Sequence, residues 1–252
     1  MPKGKVAVLT DGGYRHATSL AEAFIAAGVR VLINNPADDS LAKAHPGMVE
    51  YAQFDLTSFA EADKLADFTA EKFGSADILV HTNNKPVIMS IEESDVRDVM
   101  GVIDFNAKTA YAATRAFGRV MGDCGGGVIL YLSSIHAEKA TGCAFSYSMA
   151  KSALRLLVRE ASMQYGPAGV RINLIEAGPS EGDDALFFQS AHSNLYNDMS
   201  EKNFVGGPVT GDDVAGLVTK LALDPVNSLT GACIRLDGGY IQYYIGRAKE
   251  EA

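Results

Sequence analysis

Cysteine is scarce in this sequence and long apolar runs are missing, and both absences narrow the class of protein. Cys124, Cys143 and Cys233 are too few and too scattered for a disulfide framework. No apolar run is long enough to cross a bilayer, and the start of the chain lacks the apolar segment of a signal peptide. We therefore expect a soluble protein of a reducing, cytoplasmic compartment, with no membrane partner.

Basic charge is also low. The chain has 22 lysines and arginines against 31 aspartates and glutamates, which gives a formal net charge of -9. No basic cluster offsets this balance, so a nucleic acid is not an expected partner. No group of histidine, cysteine, aspartate and glutamate residues has metal-ligand spacing, so we expect no catalytic metal.

What is present is an alternation of strand and helix patterns along the whole chain. Apolar, β-branched runs predict strands at Val6–Leu9, Val29–Ile33, Glu50–Phe54, Asp77–Val80, Val128–Leu132, Val170–Ile175 and Cys233–Leu236. Helical patterns lie between them at Ser19–Ala27, at Phe59–Phe73, from about Glu92 to beyond Phe117 with a break near Gly101, from Tyr147 to near Gly166, and at Asp212–Leu223. This predicts an α/β fold in a single domain over residues 1–252, a Rossmann-like doubly wound parallel sheet with helices on both faces.

Tyr147 and Lys151 carry the strongest chemical signal. Their spacing of four residues on a helix puts the phenol and the ammonium on one face, where the cation favours the phenolate. Such a tyrosine can move the proton that hydride chemistry at a carbonyl or an alcohol requires. On its own, the spacing Tyr-x-x-x-Lys often occurs by chance on amphipathic helices. Ser134, however, ends the preceding predicted strand, where open α/β sheets bind their ligands.

The order of features along the chain resembles the short-chain dehydrogenase/reductase family. The residues that carry this resemblance are Thr10, Asp55, Asn106, Ser134, Tyr147, Lys151, Gly178 and the turn Asp237-Gly238-Gly239. The resemblance implies an NAD(P)-dependent oxidoreductase that interconverts a carbonyl and a secondary alcohol by hydride transfer. Tyr147 would be the acid/base, and Lys151 would lower its pKa and hold the nicotinamide ribose. Ser134 would orient the substrate oxygen, and Asn106 would support a proton relay.

The same resemblance implies a binding site for NAD or NADP. Its contacts would fall on Thr10, Gly12, Gly13, Arg15, Asn35, Asp55, Leu56, Asn83, Lys151 and Gly178. An acidic residue at the end of the second strand would select NAD and an arginine would select NADP, so Asn35 leaves the choice open. Asp55 would accept a hydrogen bond from the adenine amino group, or else cap the helix that follows it.

The phosphate loop departs from the family pattern, and this keeps two other functions open. The family sequence Thr-Gly-x-x-x-Gly-x-Gly becomes Thr10–Ala17 here, with Asp11, Arg15 and Ala17 at the glycine positions. The first alternative is a cofactor-independent lyase that resembles the halohydrin dehalogenases and uses Ser134 with its partner tyrosine. The second is a non-catalytic protein that keeps the fold. The intact set of catalytic residues argues against the second alternative.

Substrate and assembly follow from two further features. The segment 180–206 should form a lid over the active site, and its aromatic residues, among them Phe187, Phe188 and Tyr196, predict an apolar or ring-containing small-molecule substrate. The resemblance also implies a homo-oligomer, a dimer or a homotetramer, that assembles through the helices carrying Asn106 and Tyr147.

Overall fold

The computed structural model describes residues 4–140, 142–180, 203–224 and 226–242. Its strands are β1 (Val6–Leu9), β2 (Arg30–Asn34), β3 (Val49–Ala52), β4 (Ile78–His81), β5 (Gly127–Ser134), β6 (Val170–Ala177) and β7 (Cys233–Leu236). Its helices are α1 (Ala17–Ala26), α2 (Ser40–Ala44), α3 (Phe59–Phe73), α4 (Val96–Ile103), α5 (Thr109–Asp123), α6 (Phe145–Tyr165) and α7 (Gly211–Leu223). A π-helical turn, Asp104–Lys108, joins α4 to α5.

The strands form one parallel sheet in the order β3-β2-β1-β4-β5-β6-β7. This confirms the predicted doubly wound architecture. The chain runs outward from β1 to β3 and then returns to place β4 on the other side of β1. That reversal leaves a crevice at the carboxyl edge of the sheet, between β1 and β4, where such sheets bind ligands.

Both faces of the sheet are covered, which explains why its strands read as continuous apolar runs. Leu79 of β4 points to the face covered by α3, α5 and α6, where Phe117 and Leu154 pack. Its neighbour Val80 points to the opposite face, with Leu20 of α1 and Val218 of α7. This alternation along a buried strand fixes which way the residues that end each strand will face.

Two helix features differ from the sequence-based prediction. Helix α4 begins at Val96 rather than near Glu92, because the Asp95 carboxylate caps it by accepting the N–H of Arg97 at 2.7 Å. The helix also passes through Gly101 without a break. The irregularity lies further along, in the π-helical turn, so the predicted break near Gly101 was wrong.

The predicted lid lies mostly outside the described residues. Of the segment 180–206, the structure describes Ser180 and residues 203–206. Ser180 forms an isolated parallel bridge with Val209, and the N–H of Val209 donates to the carbonyl of Pro179 at 2.7 Å. These contacts bring the two ends of the lid segment together beside the carboxyl end of β6. In the described ranges, no helix is long and apolar enough to cross a membrane.

Candidate active site

Tyr147 lies in the first turn of α6, at the carboxyl edge of the sheet. Its side chain is 4% exposed, and its hydroxyl donates a hydrogen bond to Oδ1 of Asn84 at 2.8 Å. The His136 ring meets the Tyr147 ring edge-on, with 6.3 Å between the centroids. Val102 of α4 packs on the same side chain. The tyrosine is therefore held by segments from three parts of the chain.

Lys151 lies one helical turn after Tyr147 and is fully buried. Its Nζ donates to the carbonyl oxygens of Asn83 at 3.0 Å and Leu132 at 3.2 Å. The same nitrogen is 5.6 Å from the centre of the Tyr147 ring. Burial lowers the pKa of Lys151 from 10.5 to about 7, because the charged form is poorly solvated there. Two carbonyls and a ring face compensate part of that cost.

Ser134 ends β5 and faces the same cavity as the tyrosine. Its Oγ accepts the N–H of His136 at 3.2 Å, which orients the serine side chain. The cavity has a volume of about 30 Å³ and is lined by Tyr14, Asn84, Ser134, His136 and Tyr147, among others. Such a volume holds a few water molecules.

Asn106 lies in the π-helical turn and is fully buried. Its Oδ1 accepts the N–H of Lys85 at 3.0 Å. Its Nδ2 donates to the carbonyls of Lys85 at 3.2 Å and Val102 at 2.9 Å. Isolated π turns are frequent at functional sites. Here the turn directs the asparagine toward the segment that follows β4 and fixes the backbone of that segment.

The first half of the altered loop packs on neighbouring strands. Thr10 is buried and its hydroxyl donates to Oδ1 of Asn83 at 2.6 Å. The Asp11 carboxylate accepts the N–H of Gly13 at 3.1 Å, and burial raises the pKa of Asp11. A side chain at Gly12 would place its Cβ 2.7 Å from atoms of Ile33 and Pro36. Close packing against the end of β2 therefore requires glycine at that position.

The second half of the loop turns two side chains inward. Tyr14 and His16 are buried and form an edge-on ring pair with 5.4 Å between the centroids. His16 Nε2 forms a hydrogen bond of 3.2 Å with Oγ of Ser180, which ties the loop to the segment after β6. Arg15, predicted as a phosphate ligand, is exposed between them. The sequence predicted a phosphate site built from Gly12, Gly13 and the basic pair Arg15 and His16, and in the structure the buried contacts come from His16 and Tyr14.

The other predicted cofactor residues lie along the same edge of the sheet. Asn35 adopts a left-handed backbone (φ 49°), and its Nδ2 donates to the carbonyl of Phe54 at 3.3 Å. The carboxylate of Asp55 accepts bonds from Thr57, which lower the pKa of that carboxyl group. Asp55 thus orders the turn before α3 but does not cap the helix itself, for which Ser58 is the N-cap residue.

Leu56 and Gly178 have packing roles that the sequence reasoning did not anticipate. The Leu56 side chain is buried in the core beneath α3 and α5, so only its backbone can face the crevice. A Cβ at Gly178 would lie 2.5 Å from the Cβ of Asp237. The glycine is needed there because the end of β6 passes so close to the turn after β7.

Asn84 and Tyr14 also line the cavity but were absent from the predicted site. Asn84 stands where the family sequence Asn-Asn-Ala-Gly has its glycine, since residues 81–84 read His-Thr-Asn-Asn. That replacement was visible in the sequence as a departure from the family. What the sequence could not give was the path of the loop, which brings the amide to the tyrosine hydroxyl.

The residues fit a dinucleotide at both ends of the crevice. Helix α1 starts with neither a capping side chain nor an acidic residue in its first turn, which suits a phosphate group. The buried ammonium of Lys151 suits a ribose hydroxyl. Between these points, the bond from His16 to Ser180 joins the phosphate loop to the segment after β6. Both ends of the crevice are therefore compatible with a dinucleotide.

Comparison with known proteins agrees with this geometry. A family model described as enoyl-(acyl carrier protein) reductase matches residues 17–241, beginning at the last residue of the altered loop. The 3-alpha-(or 20-beta)-hydroxysteroid dehydrogenase of Mycobacterium tuberculosis (strain ATCC 25618 / H37Rv) is 25% identical over 241 residues, which are 94% of this chain and 90% of that protein. The 3beta-hydroxysteroid dehydrogenase 1 of Eggerthella lenta is 26% identical over 251 residues, which are 96% of this chain and 95% of that protein.

Solved structures give the same fold. A gluconate 5-dehydrogenase from Burkholderia cenocepacia J2315, in complex with NADP and tartrate, has a TM-score of 0.86 at 22% identity and covers 96% of this chain and 97% of its own. A 7 alpha-hydroxysteroid dehydrogenase complexed with NADH and 7-oxo glycochenodeoxycholic acid has a TM-score of 0.85 at 24% identity and covers 94% of each chain. The relatives named here are dehydrogenases, which favours an oxidoreductase over the dehalogenase-like and non-catalytic alternatives.

Proposed function

Because the chain belongs to the short-chain dehydrogenase/reductase family and is an NAD(P)-dependent oxidoreductase acting on a carbonyl/alcohol pair, we propose that Tyr147 is its acid/base. The observation that carries this assignment is the arrangement of a buried tyrosine hydroxyl and a serine hydroxyl around one cavity, with a buried ammonium beside the tyrosine ring. These are the groups needed to hold a carbonyl oxygen and to give it a proton.

Each residue has a defined part in the proton chemistry. In the reductive direction Tyr147 gives its proton to the substrate oxygen, while the Ser134 hydroxyl donates a hydrogen bond to the same oxygen. Lys151 stabilises the phenolate that remains, since a nearby positive charge favours the ionised form. Asn106 maintains the backbone at Lys85, next to the tyrosine's hydrogen-bond partner. The dinucleotide, when bound, supplies or accepts the hydride at the substrate carbon.

Three regions would hold the dinucleotide. Lys151 would bind the ribose nearest the reacting ring, and the N-terminus of α1 would bind the pyrophosphate. Asn35 and Asp55 would contact the adenosine end, where β2 and β3 reach the carboxyl edge. All three regions lie along the carboxyl edge of the sheet, which supports a single extended binding mode.

We further propose NAD(H) rather than NADP(H). The residues that follow β2 carry Asp38 and Asp39, and the only nearby base on α2, Lys43, is paired with Asp39 at 2.7 Å. A 2′-phosphate placed beside these carboxylates would be repelled. Protein fluorescence titrations should give tighter binding for NADH than for NADPH. Tighter binding of NADPH that is lost in Arg15→Gln would reverse this proposal and assign the phosphate to the exposed arginine.

For the substrate, we propose an alicyclic ketone or secondary alcohol with an apolar ring system. Pro86 and Leu132 give the cavity an apolar wall opposite its hydroxyl groups, and Tyr14 adds an aromatic face. Two of the relatives are named as hydroxysteroid dehydrogenases, which supports fused rings. None of the three cysteines, all of which lie among the described residues, forms a disulfide bond, which supports the expectation of a reducing, cytoplasmic compartment.

A direct assay tests the assignment of Tyr147. We expect the purified protein to oxidise NADH with cyclohexanone or a 3-keto steroid, and Tyr147→Phe to reduce the rate by about 100-fold or more while leaving the melting temperature near that of wild type. Tyr111→Phe is the matched control, because Tyr111 is 47% exposed on α5 and does not line the cavity. Activity of Tyr147→Phe within a few-fold of wild type would refute the acid/base role.

We also propose a homo-oligomer built on the outer face of α6. Met149, Leu156 and Met163 recur every seven residues along this helix and are 55%, 59% and 76% exposed. A repeat of seven puts apolar side chains in one seam along a helix, as at helix–helix interfaces. Two of these residues, Met149 and Leu156, line a groove of about 730 Å³ together with Phe145. A second copy of the chain, packing its own α6 in the same way, is the occupant we propose.

A further inference from the structure

The tyrosine hydroxyl has a hydrogen-bond partner that the proposed function does not require. Asn84 accepts from Tyr147 at 2.8 Å and lines the cavity beside Ser134. We propose that Asn84 is a positioning residue that holds Tyr147 in its protonated, proton-donating form and so favours carbonyl reduction. This inference rests on the proposed role of Tyr147, and it adds a residue that acts through that side chain.

The direction of the hydrogen bond decides its effect. A neutral phenol can donate to an amide oxygen, whereas a phenolate has no proton to give to it. In the orientation seen here, with Oδ1 toward the hydroxyl, the Asn84 contact is made only while Tyr147 is protonated, and it stabilises that form. Lys151 acts in the opposite sense while it is protonated, because its charge favours the phenolate. Asn84 thus favours the protonated, proton-donating form of Tyr147, whereas Lys151 favours its ionised, proton-accepting form.

Asn84 is held in place by the residues on either side of it. The backbone of Lys85 exchanges two hydrogen bonds with the Asn106 side chain. Asn83 accepts Lys151 on its carbonyl and Thr10 on its side chain. With both neighbours anchored, the amide cannot move far from the tyrosine. The position of its backbone is therefore held before a substrate arrives, which favours an effective positioning contact.

Other titratable groups also face Tyr147 and must be considered. Among the described residues these are Lys151 from α6, His136 from the segment after β5, Tyr14 from the loop after β1 and Tyr240 from the C-terminal turn. Burial lowers the pKa of His136, so this ring stays neutral above pH 6.5. The remaining groups are the same in every Asn84 variant. A comparison between variants therefore isolates the contribution of the amide.

Two substitutions at Asn84 should move the titration of Tyr147 in opposite directions. Asn84→Ala removes the acceptor and should lower the midpoint of tyrosinate formation by about one pH unit. Asn84→Asp keeps an acceptor and adds a negative charge, so it should raise the midpoint. The readout is the ultraviolet absorbance of tyrosinate against pH, taken as the difference between each protein and the same protein carrying Tyr147→Phe. Asn227→Ala, an exposed change, is the control and should leave the midpoint unmoved.

Activity gives the second readout. With NADH and cyclohexanone, the pH at which reduction declines on the alkaline side should follow the tyrosinate midpoint, downward in Asn84→Ala and upward in Asn84→Asp. Midpoints that do not move, or that move in the same direction, would overturn the inference; if Asn84→Ala does not fold, Asn84→Asp alone decides it. The titration needs no substrate, so an active Tyr147→Phe enzyme would refute the proposed function without affecting this result.

Discussion

A single residue, Lys151, combines a cost to folding from its buried charge with a central part in the proposed chemistry. Its ammonium is buried between two backbone carbonyls and a ring face, with no carboxylate among these partners. The sequence predicted this lysine, together with Ser134, Tyr147 and Asn106, because their types and order match a known pattern. It could not predict Asn84, because that contact depends on where a loop places an amide rather than on residue type.

At this scale we predict that Lys151→Met stabilises the protein while it reduces activity. The pKa of Lys151 is lowered from 10.5 to about 7 in the folded state, so between these values the unfolded chain binds more protons. The stability of the wild type therefore rises with pH across this window, by up to about 1.4 kcal/mol per pH unit, and the full penalty is present below pH 7.

Melting temperatures measured from pH 6 to pH 10 check this prediction. Lys151→Met should melt above the wild type at pH 6, and the difference should shrink toward pH 10. Lys64→Met is the matched control, because Lys64 is exposed on α3 and its removal should give no such trend. A lower melting temperature for Lys151→Met at pH 6 would show that the carbonyl contacts outweigh the cost of burying the charge.

At the scale of elements, the strands were more predictable than the segments between them. All seven predicted strands exist, because a strand buried on both faces has an apolar pattern that needs no knowledge of its neighbours. The π-helical turn at Asp104–Lys108 was not predicted, since its extra residue serves the packing of Asn106 rather than any local pattern. The inward turn of the loop at Tyr14 likewise depends on contacts with a distant segment.

We predict that Ser180→Ala strengthens dinucleotide binding. The bond between His16 and Ser180 ties the phosphate loop to the segment after β6, and we propose that it opens when a dinucleotide binds. Removing a bond of this kind releases about 0.5–1.5 kcal/mol, which corresponds to an increase in affinity of roughly 2- to 12-fold. Calorimetry with NADH measures the change. Ser162→Ala, whose hydroxyl bonds only its own helix at the Arg159 carbonyl, should leave affinity unaltered, and weaker binding in Ser180→Ala would identify Ser180 as a ligand.

At the scale of the whole molecule, the apolar side chains Met149, Leu156 and Met163 on the outer face of α6 are exposed in the part of the chain that the structure describes. The inner face of α6 packs Leu154 and Val158 against the sheet, so the helix is apolar on two sides. A helix with apolar residues beyond its core-facing stripe indicates a second partner. Both apolar faces of α6 can be recognised in the sequence, but only the fold shows which of them packs against the sheet.

We therefore predict that Leu156→Glu reduces the mass of the assembly. Light scattering on eluted protein should give two or four chains for the wild type and a smaller species for the variant, because a charge at the centre of the seam cannot be buried without a partner. Val226→Glu makes the same type of change at an exposed site far from α6 in the chain and should leave the mass unaltered. Activity of the smaller species with NADH and cyclohexanone then decides whether the site works within one chain, since each described catalytic residue comes from the same copy. A monomeric wild type, or an unchanged mass for Leu156→Glu, would contradict an interface on α6.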